Sequence, residues 1–161
     1  GAEGIAMGTR FMNTVESPAH ENMKKMSIKK QIYDTIYSDK IDGLPCRAIS
    51  SKATNRLIKD KFYLLTALYN SREAAQVFGF PWIKLFMGIL LSGYKKSKQL
   101  AKMANAFPVM RIGMEEGDEE KGVFLMGQVT GILDDTPTVA EVIEKIVEEA
   151  AEVKEELTQK I

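Results

Sequence analysis

The chain has 161 residues, and its 22 lysine and arginine residues balance 22 aspartate and glutamate residues, so the formal net charge is zero at pH 7. Nucleic-acid-binding proteins are usually basic, so this balance argues against that class, and a hydrophobic content of 45% excludes wholesale disorder. The single cysteine, Cys46, cannot form an intrachain disulfide, and we therefore expect a reducing, cytoplasmic environment.

The first apolar block, from Gly4 to Phe11, predicts a buried strand that runs into a loop. Such a strand needs neighbouring strands to satisfy its backbone groups, and these are not evident in the rest of the sequence. The sequence also opens at Gly1 without a methionine. We therefore expect the chain to be part of a longer protein.

A helix is predicted over residues 18–30, because Ser17 is a good N-cap and Pro18 fits the first helical position. Met23 and Met26 are expected on its inner face. Its solvent face is expected to hold Lys24, Lys25, Lys29 and Lys30.

The next elements are predicted from local composition and spacing. Residues 32–37 are rich in β-branched and aromatic side chains, which favours a short strand, and residues 42–45 form a turn pattern. Helical spacing of apolar residues predicts one helix over residues 53–69, and Ser71 is expected to cap another that ends at Gly79. The apolar face of the first of these helices is expected to hold Leu57, Ile58, Phe62, Leu65 and Leu68.

The most apolar stretch, residues 80–94, is shorter than the about 20 residues that a membrane span needs, and Lys84 interrupts it. A buried or lid-like helix is the first interpretation, and no stable membrane insertion is expected. An interfacial membrane helix is the alternative, which the lysines that follow favour. These lysines are Lys95, Lys96, Lys98 and Lys102.

The last part of the chain is glycine-rich and then helical. A capping box from Thr138 to Glu141 opens the C-terminal helix. The apolar seam of this helix is predicted to hold Val139, Ile143, Ile146, Ala150, Val153 and Leu157. Its opposite face carries glutamates and is expected to be solvated.

Three sequence blocks carry a family resemblance: GAEGIAMGTRFMNTVESPAHENMKK at residues 1–25, DTIYSDKIDGLPCRAI at residues 34–49, and EEGDEEKGVFLMGQVTGILDDTPTVAEVIEKIVEEA at residues 115–150. They closely resemble the nitronate monooxygenase (2-nitropropane dioxygenase) family. This flavin-dependent family is similar to the flavin-dependent enoyl-acyl-carrier-protein reductases.

The resemblance implies an α/β fold class, in which this mostly α chain is the C-terminal fragment of a TIM barrel with an added, mainly helical domain. Residues 1–31 would then be the last βα unit of the barrel, and residues 32–121 the added domain. Residues 122–161 would be a glycine-rich return segment followed by a C-terminal helix that packs on the barrel.

The resemblance also implies FMN as the cofactor, with its phosphate at the loop that matches Ala6, Met7, Gly8 and Thr9. Family members often carry glutamine where Ala6 stands, so backbone donation from Gly8 and Thr9 is the expected contact. On spacing alone, this loop and Arg10 could hold a phosphate or be an ordinary strand-to-helix loop. The family's catalytic histidine lies upstream and His20 does not match it, so no catalytic residue is expected here. Cys46 has neither a second cysteine nor a nearby histidine, so no metal site is expected either.

The implied activity is the oxidation of nitronates or nitroalkanes with O2, for which this chain would supply the FMN-phosphate loop and substrate-covering helices. The chain alone is expected to be inactive. Its partners would be a small-molecule substrate and the missing N-terminal part of the barrel, and a homo-oligomer stays open. Two alternatives are a flavin-dependent enoyl-acyl-carrier-protein reductase and a stand-alone helical module that binds a membrane surface or a partner.

Overall fold

A computed structural model describes residues 3–77, 79 and 81–160, which are mostly helical, as the sequence predicts. In chain order the elements are α1 (Thr9–Met12), α2 (Glu21–Lys29), a 3₁₀ turn (Ile32–Asp34), β1 (Thr35–Ser38), β2 (Cys46–Ile49), α3 (Lys52–Lys59), α4 (Tyr63–Val77), α5 (Trp82–Leu91), α6 (Tyr94–Arg111), a π-helical turn (Ile112–Glu116) and α7 (Val139–Gln159). Some predicted segments reach residues that lie outside the described ranges, namely Gly1, Ala2, Phe78, Phe80 and Ile161.

The first apolar block is not a strand in the structure. Residues 4–7 have no regular secondary structure, and α1 begins at Thr9. The described sheet consists of β1 and β2, and neither strand pairs with this block. Ile5 is 71% exposed. The prediction of a buried strand is therefore wrong for the described chain, because the block has no neighbour to complete its hydrogen bonds.

Helix α2 is confirmed, but its N-cap is His20 and not Ser17, since the His20 Nδ1 atom accepts a hydrogen bond from the Asn22 N–H at 3.1 Å. Met23 and Met26 are buried, as predicted. Lys24 was expected on the solvent face, but it is buried and its Nζ atom lies 3.2 Å from a carboxylate oxygen of Glu21.

The predicted strand at residues 32–37 is a 3₁₀ turn followed by β1, which pairs in antiparallel register with β2, a strand that the sequence analysis missed. In the connecting turn, Gly43 has φ +92°, and a Cβ there would lie 2.8 Å from the Gln99 carbonyl oxygen. This turn needs glycine both for its backbone conformation and for its close approach to α6.

The single helix predicted over residues 53–69 is two helices, α3 and α4. The break comes at Asp60, whose Oδ1 atom accepts a hydrogen bond from the Phe62 N–H at 2.8 Å. Phe62 and Leu65, both expected on the buried face, are exposed. Ser71 lies inside α4 and caps no helix, which corrects the predicted Ser71–Gly79 helix.

Helices α4, α5 and α6 pack together through apolar side chains and a few buried polar links. The Asn105 Nδ2 group donates to the Tyr63 carbonyl at 2.7 Å, which joins α6 to α4. The Trp82 Nε1 group donates to the Ser71 Oγ atom at 2.9 Å, which joins α5 to α4. Among the described residues, no helix combines the length and apolar character that crossing a membrane requires.

Helix α6 contains Pro108 and passes into the π-helical turn. Two carbonyl groups of this region accept hydrogen bonds from other segments: that of Val109 from the Val123 N–H at 2.8 Å, and that of Met114 from the His20 N–H at 2.8 Å. Main-chain groups thus connect the end of α6 to the return segment and to the start of α2.

The core lies where the return segment crosses β2. The Ile49 N–H donates to the Phe124 carbonyl at 2.9 Å, and Ala48 and Leu125 form an isolated antiparallel bridge. Phe124 is completely buried beside Ile49 and the α2 methionines. This hydrophobic cluster holds α2, β2 and the return segment together.

Helix α7 begins as predicted, because the Thr138 Oγ1 atom accepts from the Glu141 N–H and the Glu141 carboxylate accepts from the Thr138 N–H. These hydrogen bonds hold the pKa of the Glu141 carboxyl below its usual value. The glutamate face of α7 is solvated, as expected. The side chains of the predicted apolar seam are largely exposed in the described chain, since Ile143, Val153 and Leu157 are at least half exposed.

Candidate functional site

The loop Ala6–Thr9 lies on the surface, immediately before α1. Ala6, Met7 and Gly8 are exposed, and Thr9 is half-buried. The backbone N–H groups of residues 8–11 make no hydrogen bonds within the described part of the chain, as is usual for the first donors of a helix. A Cβ built at Gly8 would meet nothing within 4 Å. The loop therefore presents N–H donors beside open space.

Thr9 connects this loop to the glycine-rich segment. Its Oγ1 atom accepts a hydrogen bond from the Gly127 N–H at 2.8 Å, across 118 positions of sequence. The Gly127 carbonyl in turn accepts from the Thr130 hydroxyl at 2.9 Å. Two of the blocks that carry the family resemblance therefore meet at Thr9, whose hydroxyl oxygen is the acceptor in this contact.

Arg10 is engaged with the C-terminal segment. Its guanidinium lies 2.8 Å from the Asp135 carboxylate, and 18% of its side chain is exposed. The fully buried Asn13 donates to the Asp135 carbonyl at 2.7 Å and accepts from the Thr136 hydroxyl at 3.3 Å. Arg10 therefore holds the segment around residue 135, and its charge is largely neutralised by Asp135.

A cavity of about 750 Å³ lies beside the loop, between α1 and the start of α7, and Met7 and Arg10 are among its lining residues. Its charged lining is mainly acidic, comprising Asp134, Asp135, Glu141 and Glu149 against Arg10 and Lys145. Like charges repel at these separations, so this cavity disfavours a phosphate.

The remaining nucleophile and base candidates have structural surroundings. His20 caps α2, and a Cβ at Gly117 would collide with its ring, so the two residues pack tightly. Burial raises the pKa of the Cys46 thiol to about 11, and the nearby Asp42 carboxylate adds to the rise. Within residues 3–77, 79 and 81–160, no group of three or more potential ligands is arranged to hold a metal.

The model of the nitronate monooxygenase family matches residues 1–149 of the chain. The chain belongs to this family. It is 33% identical, over 155 residues, to the (3aS,4S,5R,7aS)-5-hydroxy-7a-methyl-1-oxo-octahydro-1H-indene-4-carboxyl-CoA dehydrogenase of Rhodococcus jostii strain RHA1. Its identity to the enzyme of the same name from Mycobacterium tuberculosis strain H37Rv is 30%. These alignments cover 93% of this chain and 44% of each relative, so the chain spans less than half of their length.

Solved structures of another family relative give a consistent comparison. FabK from Thermotoga maritima superimposes with a TM-score of 0.66 and 27% sequence identity, covering 100% of this chain and 41% of that protein. Its M276A mutant gives a TM-score of 0.63 at 25% identity, covering 37% of that chain. The fold of this family member therefore resembles a part of FabK.

Sequence reasoning missed the residues that organise the loop. Asp135 meets Arg10 across 125 positions, and Gly127 meets Thr9 across 118. Neither pair lies within one helix turn or one strand pair, so no periodicity connects them. The family resemblance covers both blocks, but it does not pair their residues.

Proposed function

We propose that this chain supplies the FMN-phosphate loop and the substrate-covering helices of an FMN-dependent oxidoreductase. The cluster of unbonded N–H groups at residues 8–11 carries the proposal, since it lies at the exposed loop that the family resemblance matches to the flavin phosphate. Bound FMN would supply the redox chemistry. Because Asp135 neutralises Arg10, we expect backbone dipoles, not a local side-chain cation, to hold the phosphate here.

The proposal includes the larger architecture. Residues 1–31 would be the last βα unit of a TIM barrel, residues 32–121 the added helical domain, and residues 122–161 the return segment and its helix. The unpaired residues 4–7 and the exposed apolar side chains of α7 support this division, because both would be satisfied by the rest of a barrel. The catalytic base would come from the rest of the barrel.

Helices α4, α5 and α6 would cover the substrate. They enclose an apolar cavity of about 290 Å³, with Leu64, Phe86 and Leu100 in its lining. Phe86 of this lining stacks on Trp82 with ring centroids 5.4 Å apart. A cavity of this size and polarity suits an aliphatic part of a small-molecule substrate.

Two reactions are candidates for the complete enzyme. The first is oxidation of nitronates or nitroalkanes with O2, in keeping with the family whose model matches. The second is flavin-dependent reduction of an enoyl thioester, which is favoured by the likeness to FabK and by two relatives named as CoA dehydrogenases. Oxygen uptake with a nitronate, measured against NAD(P)H oxidation with an enoyl thioester, separates the two.

The phosphate loop is tested by Gly8→Ala in the complete protein. A Cβ at Gly8 meets no protein atom within 4 Å and the backbone φ is −88°, so the variant should fold normally while the methyl group intrudes on a bound phosphate. We expect FMN to bind about tenfold more weakly, because the methyl group holds the phosphate away from the N–H donors. Gly4→Ala is the matched control, since a Cβ there also meets nothing within 4 Å. Equal FMN affinity in both variants would refute the assignment.

A further inference from the structure

A second cleft, of about 600 Å³, lies between the end of α3, the start of α4 and the side of α6. Five lysines line it, namely Lys40, Lys59, Lys61, Lys98 and Lys102. Among its described lining residues, Asp60 is the one acidic side chain. We refer to this feature as the lysine cleft.

Most of the positive charge in the lysine cleft is uncompensated. Lys102 lies 3.9 Å from the Asp39 carboxylate and donates to the Asp39 carbonyl at 3.1 Å. The four other lysines form no ion pair with any described residue. Both carboxylate oxygens of Asp60 already accept hydrogen bonds, from the Phe62 N–H and the Thr66 hydroxyl. Five lysines from three segments face two carboxylates, Asp60 and the Asp39 that lies beside Lys102, so the cleft keeps an excess of positive charge that raises the local concentration of anions.

The walls of the lysine cleft also include apolar and aromatic surface. Leu57, Ile58 and Tyr63 are half-buried in its lining. An inorganic anion gains no favourable contact from apolar surface, whereas a nucleobase can stack on a tyrosine ring or pack on aliphatic side chains. Lysines beside a half-buried aromatic ring thus match a ligand with phosphates at one end and a flat ring at the other.

We propose that the lysine cleft binds an adenine nucleotide that carries phosphate groups at more than one position. Its volume is within the range of small-molecule sites, and its concave shape suits a nucleotide better than the convex surface of an acidic protein. Coenzyme A thioesters and NADPH both contain such a nucleotide, with the additional phosphate at the ribose 3′ or 2′ position. The site lies outside the flavin loop and does not depend on the proposed function.

The test is calorimetric titration of the complete protein with adenosine 3′,5′-bisphosphate and adenosine 2′,5′-bisphosphate, in the presence of excess FMN to fill any flavin site. The test variant is Lys61→Gln/Lys98→Gln, which removes two exposed lining charges and leaves the Lys102 contact with Asp39 intact. The matched control is Lys95→Gln/Lys96→Gln, which removes two exposed charges of α6 that do not line the cleft.

We expect the test variant to bind the better nucleotide at least about tenfold more weakly, because two charge-assisted contacts are lost, and the control to change less than about twofold. Preference for the 3′,5′ isomer would identify coenzyme A as the source, and preference for the 2′,5′ isomer would identify NADPH. Absence of nucleotide binding, equal weakening in both variants, or inorganic phosphate binding as tightly as the nucleotide would each overturn the proposal. Binding of an acidic carrier protein alone would overturn it as well.

Discussion

A hydrogen bond from the Gly127 N–H to the Thr9 Oγ1 atom joins the loop at residues 6–9 to the return segment, so replacing Thr9 tests how this loop is held. Thr9→Val keeps the shape of the side chain and removes the acceptor. The Gly127 N–H, in a half-buried position, then loses a 2.8 Å partner. A lost hydrogen bond with an unsatisfied donor costs about 1–3 kcal/mol, and partial access to water places the expected loss at about 1–2 kcal/mol.

Urea unfolding of the complete protein without flavin measures this loss. With a denaturant slope of about 2 kcal/mol/M, the midpoint should fall by roughly 0.5–1 M. Thr9→Ser keeps the hydroxyl and should retain most of the stability. A Thr9→Val midpoint equal to that of the unchanged protein, or a Thr9→Ser midpoint as low as that of Thr9→Val, would refute the reasoning.

Three further predictions concern packing, thiol reactivity and substrate binding. Gly113→Ala should lower the free energy of unfolding by about 1–3 kcal/mol, because its Cβ would lie 2.5 Å from the Val123 carbonyl oxygen; an unchanged urea midpoint would contradict this. Burial, and secondarily Asp42, raise the pKa of the Cys46 thiol from 9.0 to about 11. Alkylation of Cys46 by iodoacetamide at pH 8 should therefore be about 100-fold slower in the folded protein than in urea. Similar rates in the two conditions would contradict the raised pKa. The same shift gives a contribution to stability that is full below pH 9.0 and lost as the pH rises through about 11. Trp82→Ala in the complete enzyme should raise KM roughly tenfold, which corresponds to about 1.4 kcal/mol of apolar contact. An unchanged KM would show that Trp82 does not help to cover the substrate.

The sequence predicted best those features that depend on neighbouring residues. The start of α7 is encoded by Thr138 and Glu141, which form a capping box within four residues. The cap of α2 could not be predicted in this way, because histidine is an unusual N-cap and Ser17 and Pro18 offered a more typical signal. The break before α4 depends on one carboxylate, Asp60, within an otherwise continuous helical pattern.

Features that depend on distant residues were predicted poorly. Lys24 is buried although the helical pattern placed it on the solvent face, and one turn further along α2 the Ser27 carbonyl accepts from the distant Gly131 N–H at 3.0 Å. The helical spacing of apolar residues alone does not show how much of the circumference of α2 is buried by other segments. At the candidate site, the family resemblance singled out residues 6–9, but the two partners of this region, Gly127 and Asp135, became evident in the three-dimensional arrangement.

The π-helical turn at the end of α6 limits how the sequence and length of this segment can vary among organisms. Its links to Val123 and His20 are made by carbonyl groups of the main chain, so they do not depend on which side chains the turn carries. Amino-acid exchanges there can accumulate without breaking either link, except at Gly113, where a Cβ would collide with the Val123 carbonyl. Gain or loss of one residue in the turn before Met114 is different, because it rotates the Met114 carbonyl by about 100° relative to α6 and turns it away from the His20 N–H. We therefore expect relatives to differ in the composition of this turn while keeping its length.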